Sequence, residues 1–164
     1  MITHIEYRNI DRKLEYNSLY ISFTLGKIQF CSLNLTENIN VTEIDTVITT
    51  KHYPRNYPEK SKCKISIKLQ NNTLAQLQFQ EFHVDEHQEC KNDWLQINGS
   101  IINETALLSS KASIKKDNDT VIRICGSISP PPITINGSTV DLLFRSDQSI
   151  SKRGVKMVVT NGMN

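Results

Sequence analysis

The sequence lacks any apolar run that approaches the ~18 residues of a membrane span. It also lacks a concentrated block of charge, because 19 basic and 17 acidic residues are interspersed for a net charge of +2. The first absence argues against a membrane-spanning segment, and the second gives no reason to expect binding to nucleic acid. Residues 1–17 contain no apolar h-region, so no secretory signal is expected there.

Catalytic signatures are missing as well. The sequence contains no G-x-S-x-G, H-E-x-x-H, P-loop or G-x-G-x-x-G motif, so we expect no enzymatic reaction. No C-x-x-C pair occurs among its four cysteines, an even number that favours disulfides over a zinc or redox site. Spacing leaves all three pairings open. The cysteines are Cys31, Cys63, Cys90 and Cys125.

Glycosylation acceptors are abundant. Chance placement of the Asn, Ser and Thr residues predicts roughly three N-x-[ST] sequons, whereas the chain has seven. Together with the cysteines, they predict an extracellular location, either secreted or in the ectodomain of a membrane-anchored protein. The predicted sites are Asn34, Asn40, Asn71, Asn98, Asn103, Asn118 and Asn136.

Apolar residues alternate with polar ones in several short segments after Cys63. The clearest are Lys64–Leu69, Gln76–Gln80, Val140–Phe144 and Val155–Val159. Turn-prone stretches separate them, so the pattern predicts an all-β antiparallel sandwich or barrel. A short helix is conceivable around Glu104–Ser110. Leu19–Phe30 also alternates and reads either as a strand at the sandwich edge or as the tail of a preceding domain.

Five segments in chain order resemble the CUB domain family. YPRNYP is similar to the family's Y-P-x-x-Y-P, CKNDWLQI to C-x-x-D-x-L-x-I, and ICGSISPPPI to C-G-x-x-x-P-P. LQFQEFHVDEHQEC resembles the strand and acidic turn before the third cysteine, and LFRSDQSISKRGVKM resembles F-x-S-D-x-S-x-x-x-x-G-F. The segments are Tyr53–Pro58, Leu77–Cys90, Cys90–Ile97, Ile124–Ile133 and Leu143–Met157.

This resemblance implies a two-sheet, jelly-roll β-sandwich with disulfides Cys31–Cys63 and Cys90–Cys125. It predicts an N-terminal extension, linker or preceding-domain tail over residues 1–30, the CUB domain over 31–160 and a C-terminal linker over 161–164. It also implies a non-catalytic module of a larger extracellular protein. Membrane-anchored serine proteases, which carry such modules, are one expected kind of parent.

The resemblance further implies a calcium site at one end of the sandwich. The family's acidic ligands correspond to Asp85, Asp93 and Asp147, with Glu86 as an alternative to Asp85. The backbone carbonyl of Gln148 is a further expected ligand, and Tyr57 and Ser149 are expected to support the site. Carboxylates on separate loops supply the oxygen ligands that Ca²⁺ prefers. Where relatives often carry Asn after S-D-x-S, this chain has Ile150.

The same loops are the expected interaction face. Acids at Asp85–Glu86 and Asp147–Ser149 would accept a basic side chain of a protein partner. Two alternatives stay open: solvated loop acids that cap local turns, and a glycosylated spacer without calcium or a dedicated ligand. The basic segment Lys111–Lys116 is interpreted as a solvated loop rather than as a polyanion site.

Overall fold

The structure is a computed structural model. It describes residues 13–16, 19–22, 26–31, 37–40, 45–69 and 73–163, with backbone alone for 13–16, 19–22, 37–40 and 162–163. The strands are β1 (Lys13–Tyr16), β2 (Leu19–Ser22), β3 (Gly26–Gln29), β4 (Glu37–Asn40), β5 (Thr46–Thr49), β6 (Lys62–Lys68), β7 (Leu74–His83), β8 (Trp94–Asn98), β9 (Ser113–Asn118), β10 (Val121–Cys125), β11 (Ile133–Asn136), β12 (Thr139–Arg145) and β13 (Gly154–Met163). A 3₁₀ turn spans Gln88–Cys90 and helix α1 spans Glu104–Leu108.

Two sheets form the body of the domain. A six-stranded sheet has the order β4-β6-β12-β8-β10-β9, and a five-stranded sheet has the order β11-β7-β13-β5-β3. The edge pairs β3–β5 and β4–β6 are parallel, and the other pairs in these sheets are antiparallel. Strands β1 and β2 form a separate hairpin. The architecture confirms the predicted all-β sandwich.

Alternation along the strands builds one core between the sheets. In β12, Val140, Leu142 and Phe144 are buried while Thr139 and Arg145 are exposed. Side chains from both sheets form a single buried cluster, as expected when period-two strands bury one face each. The predicted alternation after Cys63 is therefore confirmed.

The disulfides pair as the resemblance implied. Cys31 bonds to Cys63, and Cys90 bonds to Cys125. In the chain-entropy model, each such loop closure contributes about 3–4 kcal/mol to stability. Both bonds lie toward the same end of the sandwich, because Cys63 is in register with Phe144 and Cys125 ends β10.

Three segments sharpen the expectations from sequence. Leu19–Phe30 contains two strands, of which β2 belongs to the hairpin and β3 forms the edge of the five-stranded sheet. Phe30 is fully buried in the core, so residues on the N-terminal side of the expected limit at residue 31 belong to the sandwich. The expected short helix is present as α1. Lys111–Lys116 is not a loop throughout, because its last four residues lie in β9.

The registers define two opposite ends. At one end, β12 finishes at Arg145, beside Lys62 and Trp94. At the other, it starts at Thr139, beside Lys68. The seven residues of β12 separate the two ends by about 20 Å. We call the first the aspartate end, because Asp85, Asp93 and Asp147 follow or precede strand termini there, and the second the sequon end.

Candidate functional site

Tyr57 lies at the centre of the aspartate end. Its ring is buried and packs edge-on against Phe144, with ring centroids 5.0 Å apart. The hydroxyl donates to Asp93 Oδ2 at 2.5 Å and accepts from the backbone N–H of Asp85 at 3.1 Å. Burial, followed by the hydrogen bond to Asp93, raises the pKa of Tyr57 well above its ordinary value, so the phenol stays protonated as a donor.

Asp93 connects the Tyr57 segment to the Asp147 turn. It is fully buried between the 3₁₀ turn and β8, and its Oδ1 accepts from the backbone N–H of Asp147 at 2.7 Å. Burial raises the pKa of Asp93, and the negative charges of Asp147 and Asp85 raise it further, against the lowering effect of its two hydrogen bonds. An anion here is destabilised by its surroundings, which a nearby cation would relieve.

Asp147 caps its own turn. Its Oδ1 accepts from both the backbone N–H (2.7 Å) and the hydroxyl (3.0 Å) of Ser149, while its carbonyl accepts from Lys60 N–H at 2.6 Å. This is the local capping that the alternative interpretation expected. Ser149 thus orients Asp147, and Gln148 is exposed at the tip of the turn.

Asp85 and Glu86 point to different neighbours. Asp85 is buried, with 7% of its surface exposed, and its carboxylate has no hydrogen bond or ion pair with a described residue. Glu86 is exposed, and its Oε1 accepts from the Ser113 hydroxyl at 3.2 Å. The structure therefore links Asp85, Asp93, Asp147 and Tyr57, and places the Glu86 side chain against β9.

Within the described ranges, no group of three His, Cys, Asp or Glu side chains is placed to enclose a metal ion. The predicted aspartates are joined through Tyr57 and backbone N–H groups instead of around one centre. The chemistry of this donor set still fits calcium. It consists of oxygens, and it has an excess of negative charge around a buried carboxylate.

Ser146 is a site residue that sequence reasoning missed. It is buried, its hydroxyl donates to Pro58 O at 2.7 Å, and it accepts from Ser61 N–H at 2.9 Å. These bonds fasten the Asp147 turn to the Pro58–Ser61 turn. Its place as the first residue of S-D-x-S was the available signal.

A cavity of about 380 Å³ opens beside the Asp85–Glu86 loop. Its walls carry the carboxylates of Glu86 and Glu89, together with the Lys115 ammonium that pairs with Glu89 at 3.1 Å. The lining residues are Glu86, His87, Gln88, Glu89, Cys90, Ser113, Ile114 and Lys115. Among the described residues, no helix is both long and apolar enough to cross a bilayer.

Comparison with known proteins gives consistent relatives. The chain is 31% identical over 118 residues to the zinc metalloproteinase nas-39 of Caenorhabditis elegans, covering 72% of this chain and 12% of the relative. It is 31% identical over 130 residues to mouse mannan-binding lectin serine protease 1, covering 77% and 16% respectively. Human cubilin is 27% identical over 148 residues, covering 85% and 4%. The chain thus spans a small part of each.

Solved structures share the fold. The MASP-1 CUB2 domain bound to Ca²⁺ matches with a TM-score of 0.57 and 28% identity, over 74% of this chain and 96% of that one. The human MASP-1/3 CUB1-EGF-CUB2 structure matches with a TM-score of 0.59 and 27% identity, over 80% and 43%. The model of the CUB domain family matches residues 36–158. This chain therefore belongs to the CUB domain family, whose members are non-catalytic modules.

Proposed function

We propose that this chain is an extracellular module that binds a protein partner through its aspartate end, with calcium ordering the loops. The observation that carries the proposal is the burial of Asp93, which joins the Tyr57, Asp85 and Asp147 segments. CUB modules of relatives act in protein–protein interaction, which supports a binding role. The parent would be a larger secreted or membrane-anchored protein, and similarity to a serine protease makes a multidomain protease a candidate.

Calcium would be held by the carboxylates of Asp85, Asp93 and Asp147, with the Gln148 carbonyl as a further ligand. Asp85 supports this because the residue is mostly buried while its carboxylate has no hydrogen-bond or ion-pair partner among the described residues. The similar MASP-1 domain is bound to Ca²⁺. Bound calcium would supply positive charge that neutralises the acids and fixes three loops relative to one another. Tyr57 and Ser149 would orient the ligands as they orient Asp93 and Asp147 here.

Acidic side chains at this end favour a basic group on the partner. Glu86 and Glu89 line the 380 Å³ cavity next to Asp85, and Asp147 is half-exposed in the neighbouring turn. A lysine or arginine side chain inserted between these loops would pair with several carboxylates at once. Such partly desolvated pairs contribute more to specificity than isolated surface pairs do.

The sequon positions favour binding over the spacer alternative. Asn98, Asn118 and Asn136 are exposed at the sequon-end termini of β8, β9 and β11. The backbone of Asn40 is in register with Lys68, also at that end, whereas Asn34 and Asn71 lie outside the described residues. Glycans at the exposed sites would leave the aspartate end accessible.

Asn103 differs from the exposed sequons. Its Nδ2 donates to Pro132 O at 2.7 Å and its Oδ1 accepts from Thr134 N–H at 3.0 Å. Because the acceptor nitrogen is already engaged at a half-buried position, we expect lower occupancy there than at Asn98, Asn118 and Asn136. Glycopeptide mass spectrometry of the secreted protein measures this order directly.

Calorimetric titration with Ca²⁺ tests the metal. The wild-type chain should bind, and Asp93→Asn should lose binding while keeping an oxygen to accept the Asp147 N–H. Asp119→Asn is the matched control, because the Asp119 side chain is fully exposed and pairs only with Lys116 among the described residues. Equal calcium binding by Asp93→Asn and wild type would overturn the calcium assignment.

Binding to an array of purified extracellular proteins tests the partner. A specific partner should bind in Ca²⁺, should be lost in EDTA and with Asp147→Ala, and should be retained by Asp119→Ala. The spacer alternative instead predicts no specific partner and glycans mapped onto the aspartate end. A partner that binds equally well to Asp147→Ala and in EDTA would bind elsewhere on the domain.

A further inference from the structure

The outer face of the six-stranded sheet is rich in basic side chains. Strand alternation directs Ile65, Ile67, Leu142 and Ile122 into the core, so the residues between them face outward. The outward cations are Lys62, Lys64 and Lys68 of β6, Arg145 of β12, Arg123 of β10 and Lys115 of β9. They are scattered in the sequence, so only the fold brings them onto one surface.

Strand register places five of these six cations in two rows, and Lys68 lies farther along β6 beside Thr139. One row runs from Lys62 to Arg145 and on to Trp94 at the aspartate end of the face. The next row runs through Lys64, Leu143, Gln96, Arg123 and Lys115. Neighbouring strands lie about 4.8 Å apart, and outward residues of one strand repeat about every 6.7 Å. The result is an array on which five cations are interspersed with Trp94, Leu143 and Gln96.

Local acids neutralise only part of the array. Asp141 pairs with Lys64 at 2.8 Å, Asp117 forms a bidentate pair with Arg123, and Glu89 pairs with Lys115. In contrast, Lys62, Lys68 and Arg145 are exposed and form no ion pair with any residue whose side chain is described. Positive charge is therefore left over on this face.

The array suits a linear polyanion better than a protein. Lysine is depleted at the centre of protein–protein interfaces, where aromatic anchors dominate. Here Trp94 is buried and Arg123 covers its ring, with the guanidinium carbon 5.5 Å from the centroid. Leu143 is half-buried. No large apolar side chain among the described residues projects fully from this face, so attraction would come from charge and release of counterions.

We propose that this face binds a sulfated polysaccharide of the cell surface or extracellular matrix, with Lys62 and Arg145 as the main contacts. The Lys62–Arg145 row lies about 13 Å along β8 from the Asn98 sequon, at the opposite end of that strand. This site lies on the outer face of the six-stranded sheet, where its Lys62–Arg145 row adjoins the aspartate end, and it is built from different side chains. Its ligand needs no calcium and makes no use of Asp85, Asp93 or Asp147.

Heparin is the probe, used with the full chain on an affinity column and by calorimetry with a defined oligosaccharide. The test variant is Lys62→Gln/Arg145→Gln. The matched control, Lys27→Gln/Arg55→Gln, removes the same charge from exposed positions outside this sheet. We expect the test variant to bind roughly 2- to 30-fold more weakly than the control and to lower the slope of log Kd against log salt by about one to two.

Several results would overturn the proposal. They are equal heparin binding by the two double variants, undiminished binding to desulfated heparin, and equal binding to a single-stranded oligonucleotide of the same charge. Repeating the titration in Ca²⁺ and in EDTA separates this site from the proposed calcium-dependent one. Heparin binding that persists in EDTA and in Asp93→Asn supports the proposal even where calcium binding fails.

Discussion

The two ends of the sandwich differ in whether their polar groups are buried or exposed. The aspartate end contains both disulfides and a hydrogen-bonded network that includes the buried Asp93 and the buried hydroxyl of Tyr57. The sequon end has exposed turns with Asn98, Asn118 and Asn136 and a positive-φ Gly137. Polar groups are therefore buried where loops must keep a fixed relation and exposed where the strands only reverse. The proposed binding role would use the first arrangement, and the proposed glycosylation the second.

Truncating buried side chains of β12 should give the largest difference in stability between the two ends. Phe144 is buried at the aspartate end of this strand, and Val140 is buried at the sequon end. Phe144 contacts the rings of Phe30 and Tyr57, so Phe144→Ala should lower the free energy of unfolding by ~3–5 kcal/mol. Val140→Ala removes two methylene equivalents and should cost ~1.5–2 kcal/mol. Urea unfolding measures both. Because Phe144 is the larger side chain, a loss for Phe144→Ala no greater than that for Val140→Ala would show that the aspartate end is the more loosely packed.

Tyr57→Phe should have the next largest effect. It removes the hydroxyl shared by Asp93 and the Asp85 N–H, leaving buried polar groups unpaired, so we expect a loss of ~1–3 kcal/mol. Tyr53→Phe is the matched control. Tyr53 is only half-buried, and its burial and its hydrogen bond to Glu81 raise its pKa to about 12. A larger loss for Tyr53→Phe would contradict the central role of Tyr57.

Ile150→Asn should raise both the stability of the domain and the calcium affinity of the aspartate end. Ile150 is 59% exposed and has φ +48°, a left-handed conformation that β-branched residues adopt at a cost. Asparagine tolerates this conformation, so stability should rise by ~0.5–1 kcal/mol. It also adds an oxygen beside the Asp147 turn, so calcium affinity should rise. Thermal unfolding and calcium titration check the two effects; Ile150→Val, which keeps the β-branch and adds no oxygen, is the control.

The ends should also respond to pH with opposite signs. The hydrogen bonds from Arg123 lower the pKa of Asp117 near the sequon end, so its stabilisation is present above the unfolded value of about 3.9 and is lost as pH falls through the folded pKa. The pKa of Asp93 is raised by burial, so stability in EDTA should decline as pH rises from about 3.9 through the folded pKa.

Unfolding measured across pH in EDTA tests these slopes with one variant for each end. Asp117→Asn should remove the low-pH loss, an effect of ~0.2–1 kcal/mol for a pair that is partly exposed. Asp93→Asn should remove the decline with rising pH. Either variant with the wild-type profile would show that its carboxyl does not govern that slope.

Many of the strands were predictable because burial of one sheet face produces a local alternation of apolar and polar residues in the sequence. The alternation of Val140, Leu142 and Phe144 follows from strand geometry alone. No local sequence pattern specifies strand register or sheet order, because both depend on pairing between distant segments. β5 shows the limit: all four of its residues are buried, so it lacks alternation and gave no signal.

The candidate site was predictable by residue type and motif, but its connectivity was not. Family resemblance pointed to Asp93 and Asp147 and to Tyr57 as a supporting residue, but it did not predict which carboxylate the Tyr57 hydroxyl binds, 36 positions away. Glu86 was a reasonable alternative ligand by proximity in sequence, whereas the structure directs it toward Ser113. Side-chain direction in an irregular loop depends on its contacts, which sequence spacing does not encode.

The position of β13 has a consequence for synthesis of the protein. β13 lies between β7 and β5 in the five-stranded sheet, although it is formed by Gly154–Met163, late in the chain. The six-stranded sheet and all four cysteines are complete by Arg145. During translation, the β11–β7 pair and the β5–β3 pair of the five-stranded sheet therefore have unpaired edges until β13 is synthesised. A chaperone that shields those edges would act in that interval, before the last strand emerges from the ribosome.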